Sequence, residues 1–474
     1  MREVQINPIP LDRLTQLLEA DRVSRLAEHA ARARAMLGER TVWNVNATAS
    51  GGGVAEMLQT LLAYSRGARV DTRWLVLDGT PGFFRLTKRL HNRLHGVAGD
   101  GGPIGDDERA LYERVLAENL RTLRETVRAG DIVILHDPQT AGLAKGLREL
   151  GAHPVWRCHI GRDTPNANSE AAWQFLRPYV EQAQATVFSR SEYAPAWLNR
   201  DSLWIIPPSL DPFSAKNRTL DAGDVAASLG QAGLVQLPTD RGSLDFVRRD
   251  GTSGAVRRHT GLVNGSPPLP RDARIVLQVS RWDRLKDMAG VLTGFANHLV
   301  DFPDDVHLML VGPDVRGVSD DPEGAEVLAE CMDIWRAQPA QAQHRLHLCS
   351  LPMDDVDENA HLVNALQRYS TVVVQKSIVE GFGLTVTEPM WKSRPVLATR
   401  VGGIQDQIVH GESGLLLDDP VDLDDFADRL LDLIRDEDLA AKLGGAAHER
   451  VRDRFLGDRH LIQYVQLFQA LDQA

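Results

Sequence analysis

The sequence has little of what a disulfide scaffold, a metal site or a membrane anchor requires. Its 474 residues include only three cysteines, Cys158, Cys331 and Cys349, an odd number without a Cys-x-x-Cys pair. Disulfides and cysteine zinc sites are therefore not expected, and a reducing compartment fits this composition. No apolar run is long enough to span a bilayer, and the first residues, MREVQINPIPLDRL, carry charge where a signal peptide needs an apolar stretch. We expect a cytoplasmic protein that does not bind membranes.

Positive charge is also scarce. Lys and Arg number 53 against 65 Asp and Glu, which gives a formal net charge of −12. A general nucleic-acid binder needs a broad cationic surface, so nucleic acid is not an expected partner, whereas a small basic pocket for a phosphorylated ligand remains compatible. Hydrophobic residues make up 43% and charged residues 25%, as in soluble globular proteins, and the length predicts two or three domains.

Short apolar runs alternate with longer helical patterns along most of the chain. Predicted strands begin at Thr41, Thr72, Asp131, Pro154, Ala185, Leu203, Arg274, Val306, Arg345, Thr371, Pro395 and Gly414. Continuous apolar strands separated by helices indicate parallel sheets that are covered on both faces, although a short run taken alone also suits a buried helix segment. The predicted fold class is α/β, with two doubly wound, Rossmann-like domains facing each other across a cleft.

The segment 221–271 interrupts this alternation. It includes GSLDFVRRDGTSGAVRRHTGLVNGSPPLPRD, which is rich in Gly, Ser, Pro and Arg and has weak periodicity. Such a composition predicts a linker that contains a flexible insertion. The sequence therefore predicts a first domain over 1–220 with a helical N-terminal extension, a linker over 221–271, and a second domain over 272–474 that ends in helices.

Unusual polar residues and glycines follow several predicted strands, and ligands of open parallel sheets bind at these carboxyl ends. Gly51, Gly52 and Gly53 stand between the first strand and a helix, where backbone N–H groups can bind an anion; a tight turn without a ligand is the alternative. His159 ends another strand, and a lone histidine at such a place is more often a structural residue than a catalytic one. No GxGxxG motif follows a strand, which disfavours an NAD-dependent dehydrogenase.

Two cations follow the first strand of the second half. Arg281 and Lys286 lie in the loop that leaves RIVLQVS, where they could neutralise a diphosphate or remain solvated on the surface. Further on, Glu380 and Glu388 bracket a glycine-containing loop between a strand and a helix. Their carboxylates could accept hydrogen bonds from sugar and ribose hydroxyls, but TVTE, which ends at Glu388, also fits a capping box that would bond the glutamate to the helix start.

These marks together resemble the retaining glycosyltransferases of family four, which have the GT-B fold. The shared marks are the Glu-x7-Glu spacing, the Gly-Gly loop after the first strand and SRWDRLKD. Within the family the chain is most similar to the trehalose synthases, on NATASGGGVAEML, FFRLTKRLHNRLHG, WRCHI and QKSIVEGFGLTVTEPMWKSRPV. The resemblance extends from about Thr41 to Gly414, apart from the insertion. It implies a retaining hexosyltransferase that moves glucose from a nucleoside diphosphate glucose to free glucose, giving trehalose, without a cofactor or metal.

The resemblance also implies roles for individual residues. Arg281 and Lys286 would bind the diphosphate, Glu388 the ribose and Glu380 the transferred glucose, and His159 would face the donor sugar. The implied catalytic residues are His159, Arg281, Lys286 and Glu380. The implied donor-binding residues are Gly52, Gly53, Arg281, Lys286, Gly381, Phe382, Gly383, Leu384, Thr385 and Glu388. The candidate acceptor-binding residues are Asn46, Lys88 and Asp163.

The sequence offers no clear carboxylate nucleophile, so we expect front-face transfer, in which the leaving diphosphate oxygen accepts the proton of the acceptor. Three alternatives stay open: a trehalose phosphorylase, a family-four transferase with another acceptor, and a sugar-nucleotide-binding protein without turnover. The sequence does not determine the nucleotide base, the acceptor, the physiological direction, the role of the insertion or the oligomeric state. A homodimer is common among similar proteins.

Overall fold

The computed structural model describes residues 1–49, 53–239, 242–264, 267–315 and 322–473. The chain forms two compact units, one of Met1–Leu210 with Arg454–Ala474 and the other of Asp211–Asp453. These boundaries differ from the predicted ones, since the first unit ends earlier and also takes the C-terminal segment. Within the described part of the chain, no helix has the length and apolar character to cross a membrane.

The first unit is built on a seven-stranded sheet in the order β1-β3-β2-β4-β5-β6-β7, parallel except for β1. Its strands are β1 (Arg2–Val4), β2 (Val42–Asn46), β3 (Thr72–Val76), β4 (Ile132–His136), β5 (His153–Cys158), β6 (Ala185–Phe188) and β7 (Leu203–Ile205). Its helices within 1–210 are α1 (Asp12–Thr15), α2 (Ala20–Leu37), α3 (Gly53–Gly67), α4 (Pro81–Leu94), α5 (Asp106–Thr126), α6 (Ala144–Glu149) and α7 (Ala167–Val180).

Strand pleating divides the apolar residues of this sheet between two cores. Trp43 and Val45 face the core that also contains residues of α4–α7, such as Phe83. Val42 and Ile134 face the opposite core, together with residues of α2 and of the C-terminal helix Gly457–Gln473. Both faces of the sheet are therefore covered, as the continuous apolar strands predict.

The second unit contains another seven-stranded sheet, in the order β10-β13-β12-β11-β14-β15-β16, and a two-stranded hairpin, β8–β9. Its strands are β8 (Asp245–Val247), β9 (Ser253–Ala255), β10 (Val263–Asn264), β11 (Arg274–Val279), β12 (Val306–Pro313), β13 (Leu346–Leu351), β14 (Val372–Gln375), β15 (Val396–Thr399) and β16 (Leu415–Leu417). Its helices are α8 (Ala222–Ala232), α9 (Met288–Asn297), α10 (Pro322–Arg336), α11 (Ala340–Gln343), α12 (Val356–Tyr369), α13 (Leu384–Trp391), α14 (Ile404–Gln407), α15 (Leu423–Arg435) and α16 (Glu437–Arg454). The last helix, α17 (Gly457–Gln473), belongs to the first unit.

The twelve predicted strands are all present, as β2–β7 and β11–β16. The described residues form four further strands of two or three residues each, and all four make antiparallel pairs at a sheet edge or in the hairpin. Such short strands bury too few side chains to show a period in the sequence.

The segment 221–271 is a folded part of the second unit, whereas its composition predicts a flexible linker. Leu229 of α8 and Phe246 of β8 are buried in one core with Leu277 of β11 and Leu362 of α12. In addition, β10 pairs antiparallel with β13 at the sheet edge. The buried residues of α8, such as Val225, Leu229 and Ala232, have helical spacing, but the strands that follow are only two or three residues long and are too short to show a period in the sequence.

Candidate active site

A short turn follows β11, the central strand of the second sheet. Residues Arg284–Lys286 form a 3₁₀ turn, which the Asp283 carboxylate caps by accepting from Leu285 N at 2.9 Å. The Gln278 amide donates to Lys286 O at 2.8 Å and so ties the turn to the end of the strand. The turn therefore holds Lys286 beside the carboxyl end of β11.

Lys286 and Glu380 form an ion pair at this place. The Lys286 ammonium donates to Glu380 Oε2, which also accepts from Ser377 Oγ at 3.2 Å. The side chains of Lys286 and Glu380 are 14% and 11% exposed. Ile378 N donates to Leu285 O at 2.8 Å, which joins the loop after β14 to the 3₁₀ turn. Strands β11 and β14 are neighbours at the point where the strand order reverses, which is where open α/β sheets bind ligands.

The glycine loop between Glu380 and α13 is closely packed. Gly383 is the N-cap residue of α13 with φ 87°, a left-handed conformation that favours glycine. Gly403 N donates to Gly381 O at 3.2 Å, and a Cβ on Gly403 would lie 2.6 Å from Phe382 Cα. The sequence therefore needs glycine at 383 for the conformation and at 403 for the close approach of two loops.

Leu384 and Thr385 form the first turn of α13, whose leading N–H groups have no partners within the helix. Thr385 Oγ1 is buried and has no hydrogen-bond partner among the residues that the structure describes. A helix N-terminus with an additional hydroxyl donor suits an anion. This first turn follows directly on the loop that carries Glu380.

Glu388 lies on α13 and does not cap it. The helix begins after Gly383 without a side-chain cap, so the capping-box alternative for Glu388 is wrong. The carboxylate instead lies 3.4 Å from Lys216 Nζ and accepts from Gln367 Nε2 at 3.5 Å. Its side chain is only 8% exposed, so Lys216 compensates a largely buried charge.

Lys392 completes the polar surroundings of Glu388. Its ammonium donates to Gln367 Oε1 at 2.7 Å, to Asn217 Oδ1 at 3.0 Å and to Glu388 O at 3.2 Å. Burial lowers the pKa of Lys392 to about 7, although the Glu388 carboxylate opposes this shift. Sequence reasoning missed Lys216, Gln367 and Lys392. Only Lys392 could have been found from the sequence, because it follows Glu388 by four residues in a predicted helix and such residues are neighbours on a helix face.

Arg281 occupies the same loop as Lys286, but its guanidinium contacts another partner. It donates to Asp283 Oδ2 at 2.8 Å, and its side chain is 56% exposed. The structure thus brings together Lys286, Glu380 and the glycine loop, whereas Arg281 stays at the exposed side of the loop.

In the first unit, His159 belongs to a polar cluster at the ends of β4 and β5. His159 N donates to Asp137 Oδ1 at 2.8 Å, and His159 Nε2 lies 3.0 Å from His136 Nδ1. Arg157 Nε donates to the same Nε2 at 3.2 Å. Burial, together with the Arg157 charge, lowers the pKa of His159 well below its ordinary value and that of His136 to about 3. Both imidazoles are therefore neutral at physiological pH.

The other first-unit candidates have separate surroundings. Asn46 is buried, accepts from Trp74 Nε1 at 2.8 Å and donates to Thr48 O at 2.7 Å. Lys88 is exposed on α4, and Asp163 forms an ion pair with Arg190. Gly53 begins α3, whereas Gly52 lies outside the described residues.

Family models match both halves of the chain. The model described as trehalose synthase, N-terminal domain, matches residues 44–195, and that of the glycosyl transferases group 1 matches residues 264–450. Trehalose synthase from Thermococcus litoralis is 33% identical over 438 residues, which cover 91% of this chain and 90% of that protein. Trehalose synthase from Rubrobacter xylanophilus is 34% identical over 434 residues, with the same coverage. Trehalose phosphorylase from Pleurotus pulmonarius is 27% identical across 86% of this chain, which spans about half (54%) of that protein's length.

Solved structures agree on the fold. The sucrose-phosphate synthase from Thermosynechococcus elongatus superposes with a TM-score of 0.63 at 18% identity, and covers 92% of this chain and 100% of its own. The UDP-forming trehalose-phosphate synthase from Burkholderia xenovorans superposes with a TM-score of 0.67 at 14% identity and the same coverage. The predicted fold class, GT-B with two doubly wound Rossmann-like domains, is confirmed. Because relatives one-third identical match nine-tenths of its length, the chain belongs to the trehalose synthase family of glycosyltransferases.

Proposed function

We propose that the protein moves glucose from a nucleoside diphosphate glucose to free glucose with retention of configuration, and so makes trehalose. One observation carries this proposal: the Lys286–Glu380 pair lies at the switch point of the second sheet, next to the glycine loop that begins α13. A cation for phosphate, a carboxylate for hydroxyls and the open end of a helix thus lie close together. Membership of the trehalose synthase family supports the sugar substrates.

The diphosphate is proposed to bind between the 3₁₀ turn and the first turn of α13. Lys286 supplies a largely buried positive charge, and the α13 N-terminus supplies N–H donors next to the Thr385 hydroxyl. Arg281 contributes a second cation when its guanidinium turns from Asp283 to a phosphate oxygen. Both cations stabilise the charge that grows on the leaving diphosphate, which is commonly the largest catalytic contribution.

The two glutamates are proposed to bind hydroxyl groups. Glu380 accepts hydrogen bonds from the transferred glucose, in an orientation that Lys286 and Ser377 fix. Glu388 accepts from the ribose hydroxyls, and Lys216 pairs with its carboxylate. Backbone groups of 381–385 line the same ligand.

Transfer is proposed to occur on one face of the sugar. The bond from the anomeric carbon to the β-phosphate oxygen breaks, the acceptor hydroxyl oxygen bonds to the same face, and its proton passes to the leaving phosphate oxygen. Glu380 is a poor nucleophile for the alternative double displacement because its carboxylate is ion-paired with Lys286. His159 donates a hydrogen bond to the donor sugar, and Asn46, Lys88 and Asp163 remain candidates for binding the acceptor.

The test is incubation of the purified protein with UDP-, ADP-, GDP- and TDP-glucose, each with and without free glucose. We expect release of nucleoside diphosphate and an α,α-1,1-linked diglucose, identified by NMR, only when both substrates are present. Diphosphate release without this disaccharide would contradict the proposed acceptor. Phosphate-dependent cleavage of trehalose without nucleotide would instead establish a phosphorylase, which is the activity named for the 27% identical relative.

A further inference from the structure

Three buried polar side chains surround His159 on adjacent strands of the first sheet. His136 of β4 and Arg157 of β5 are register partners, and Asn44 lies on β2, the other neighbour of β4. Arg157 is fully buried, and His136 and Asn44 are 1% and 2% exposed. Because these groups are shielded from bulk water, their hydrogen bonds are made within the protein, and Arg157 Nη2, for example, donates to Ile206 O at 2.8 Å.

Arg157 determines which nitrogen of His159 carries the proton. A guanidinium keeps its protons in proteins, so Arg157 Nε can only donate to His159 Nε2, 3.2 Å away. His159 Nε2 must then offer a lone pair. In the neutral imidazole, the single proton consequently lies on Nδ1.

The same argument extends to His136. Its Nδ1 lies 3.0 Å from His159 Nε2, and two lone pairs would repel each other at this distance, so His136 Nδ1 carries a proton and donates. His136 Nδ1 and Arg157 Nε thus share the single lone pair of His159 Nε2. The rings lie nearly parallel, with 13° between their planes. In its neutral form, His136 then has a lone pair on Nε2.

Asn44 ends the chain of donors. As placed, Asn44 Oδ1 faces His136 Nε2 at 3.1 Å, while Asn44 Nδ2 is buried without a hydrogen-bond partner. Exchanging the two ends of the amide, which have nearly the same shape, turns an N–H toward the His136 lone pair and so gives the amide nitrogen a hydrogen-bond partner. One rotation of the Asn44 amide thus gives its nitrogen a partner and ends the contact between two acceptors, Asn44 Oδ1 and His136 Nε2.

We propose that Asn44, His136 and Arg157 are positioning residues that fix His159 as a neutral imidazole protonated on Nδ1. Among the described residues, no hydrogen bond involves this Nδ1, and the partly exposed His159 ring can therefore donate it to a ligand. His159 then acts as a hydrogen-bond donor to an oxygen of the sugar and not as a general base. The part of this inference that concerns the sugar rests on the proposed function, whereas the position of the proton does not.

The test compares two isosteric replacements of His136 in the full chain. His136→Asn keeps an N–H where Nδ1 lies, whereas His136→Asp places an acceptor there. The probe is long-range ¹H–¹⁵N correlation of ¹⁵N-histidine-labelled protein without ligand, with the His159 signals assigned from His159→Gln. We expect a protonated Nδ1 and an unprotonated Nε2 for His159 in the natural protein and in His136→Asn. In His136→Asp, the new carboxylate accepts from Arg157 Nε in place of His159 and also accepts from His159, so we expect a protonated Nε2 there. A protonated Nε2 in the natural protein would overturn the proposal, whether or not either variant folds.

Turnover gives the second readout. With the donor that the substrate panel identifies, we expect His136→Asn to stay close to the natural kcat and His136→Asp to lose about ten-fold or more, the cost of one transition-state hydrogen bond. Asn119→Asp, which buries a carboxylate elsewhere in the first unit, should leave the His159 signals unchanged. Equal turnover of the two His136 variants, despite different His159 protonation, would overturn the donor role. If the natural protein turns over no donor, the proposed function fails while the spectra still decide the proton position.

Discussion

At the scale of single residues, Lys286 has two anionic partners in the proposed reaction. In the structure it neutralises Glu380, and in turnover it would also face the leaving diphosphate. The attraction between the Lys286 ammonium and the diphosphate grows as the leaving group becomes more negative. The Lys286 side chain is only 14% exposed, so its charge interacts with these anions in surroundings less polar than water, where such an interaction is stronger.

Lys286→Ala should therefore lower kcat at least a hundred-fold with the fold intact, since one such contact contributes about 2.7–4 kcal/mol to the barrier. The matched control is Arg284→Ala in the same 3₁₀ turn, whose guanidinium contacts Glu326 and Glu330 on the surface and is 55% exposed. Steady-state rates with saturating donor, next to circular dichroism of both variants, are the measurement. Similar rates for the two variants would contradict the role of Lys286.

Glu388 offers an independent residue-scale test of donor binding. Glu388→Gln should weaken the binding of nucleoside diphosphate about ten- to a hundred-fold, because a buried charged acceptor is lost and Lys216 is left without its anion. Isothermal titration with nucleoside diphosphate measures this without turnover. Glu412→Gln, an exposed change in the same unit, is the control. An unchanged affinity of Glu388→Gln would place the ribose elsewhere.

At the scale of elements, ion pairs attach the inserted hairpin to the start of α12. Arg248 pairs with Asp355 at 2.8 Å and Arg249 with Asp357 at 2.9 Å. The Glu358 carboxylate, 3% exposed, contacts Arg257 and lies 3.0 Å from His259 Nε2. Exposed ion pairs contribute little to stability, but the buried Glu358 needs its partners, because an uncompensated buried charge is costly.

Arg257→Met should lower the free energy of unfolding by about 1–3 kcal/mol, since it removes a donor from a buried carboxylate that keeps His259 as a partner. The neighbouring Arg258→Met is the control, because Arg258 is exposed and the ion pairs of the described residues do not include it. Urea unfolding monitored by tryptophan fluorescence measures both. Equal midpoints for the two variants would show that the ion pairs do not hold the hairpin.

The sequence predicted the long strands of both sheets but not the elements of the inserted segment. The strands β2–β7 and β11–β16 have continuous apolar runs, because both faces of each sheet are buried. By contrast, α8 and β8–β10 are stabilised by scattered contacts such as Phe246 on His361 and by the ion pairs to α12. Contacts between residues about a hundred positions apart leave no local pattern, and the segment looked like a linker for that reason.

At the scale of the whole molecule, several histidines with a lowered pKa make stability depend on pH. Burial lowers the pKa of His136 and His347 to about 3 and that of His361 to about 4, and those of His159 and His460 lie well below the ordinary value. The unfolded chain binds protons near pH 6.5 where the folded protein does not. The stability that these neutral histidines confer is therefore complete above about pH 6.5 and is lost as the pH falls toward 4.

Lowering the pH from 7.5 to 5 should thus shift the urea midpoint downward, with each such histidine contributing up to about 1.4 kcal/mol per pH unit below pH 6.5. Asp137 and Asp287 oppose this trend, because burial raises the pKa of Asp137 to about 7 and that of Asp287 above its ordinary value, but the histidines with a lowered pKa outnumber them. His347→Gln should flatten the pH dependence, and His344→Gln, an exposed neighbour, should not. A natural protein equally stable at both pH values would contradict this account.

Local apolar runs and fixed spacings were enough to predict the α/β class, twelve strands and the glycine loop, and to select Lys286, Glu380 and Glu388 as candidates. Only the folded chain shows which of these residues meet. It pairs Lys286 with Glu380 across 94 residues and places Lys216 against Glu388. It also brings Asn44, His136 and Arg157 into one cluster with His159. This cluster results from the register of three strands, and no single segment of the chain encodes that register.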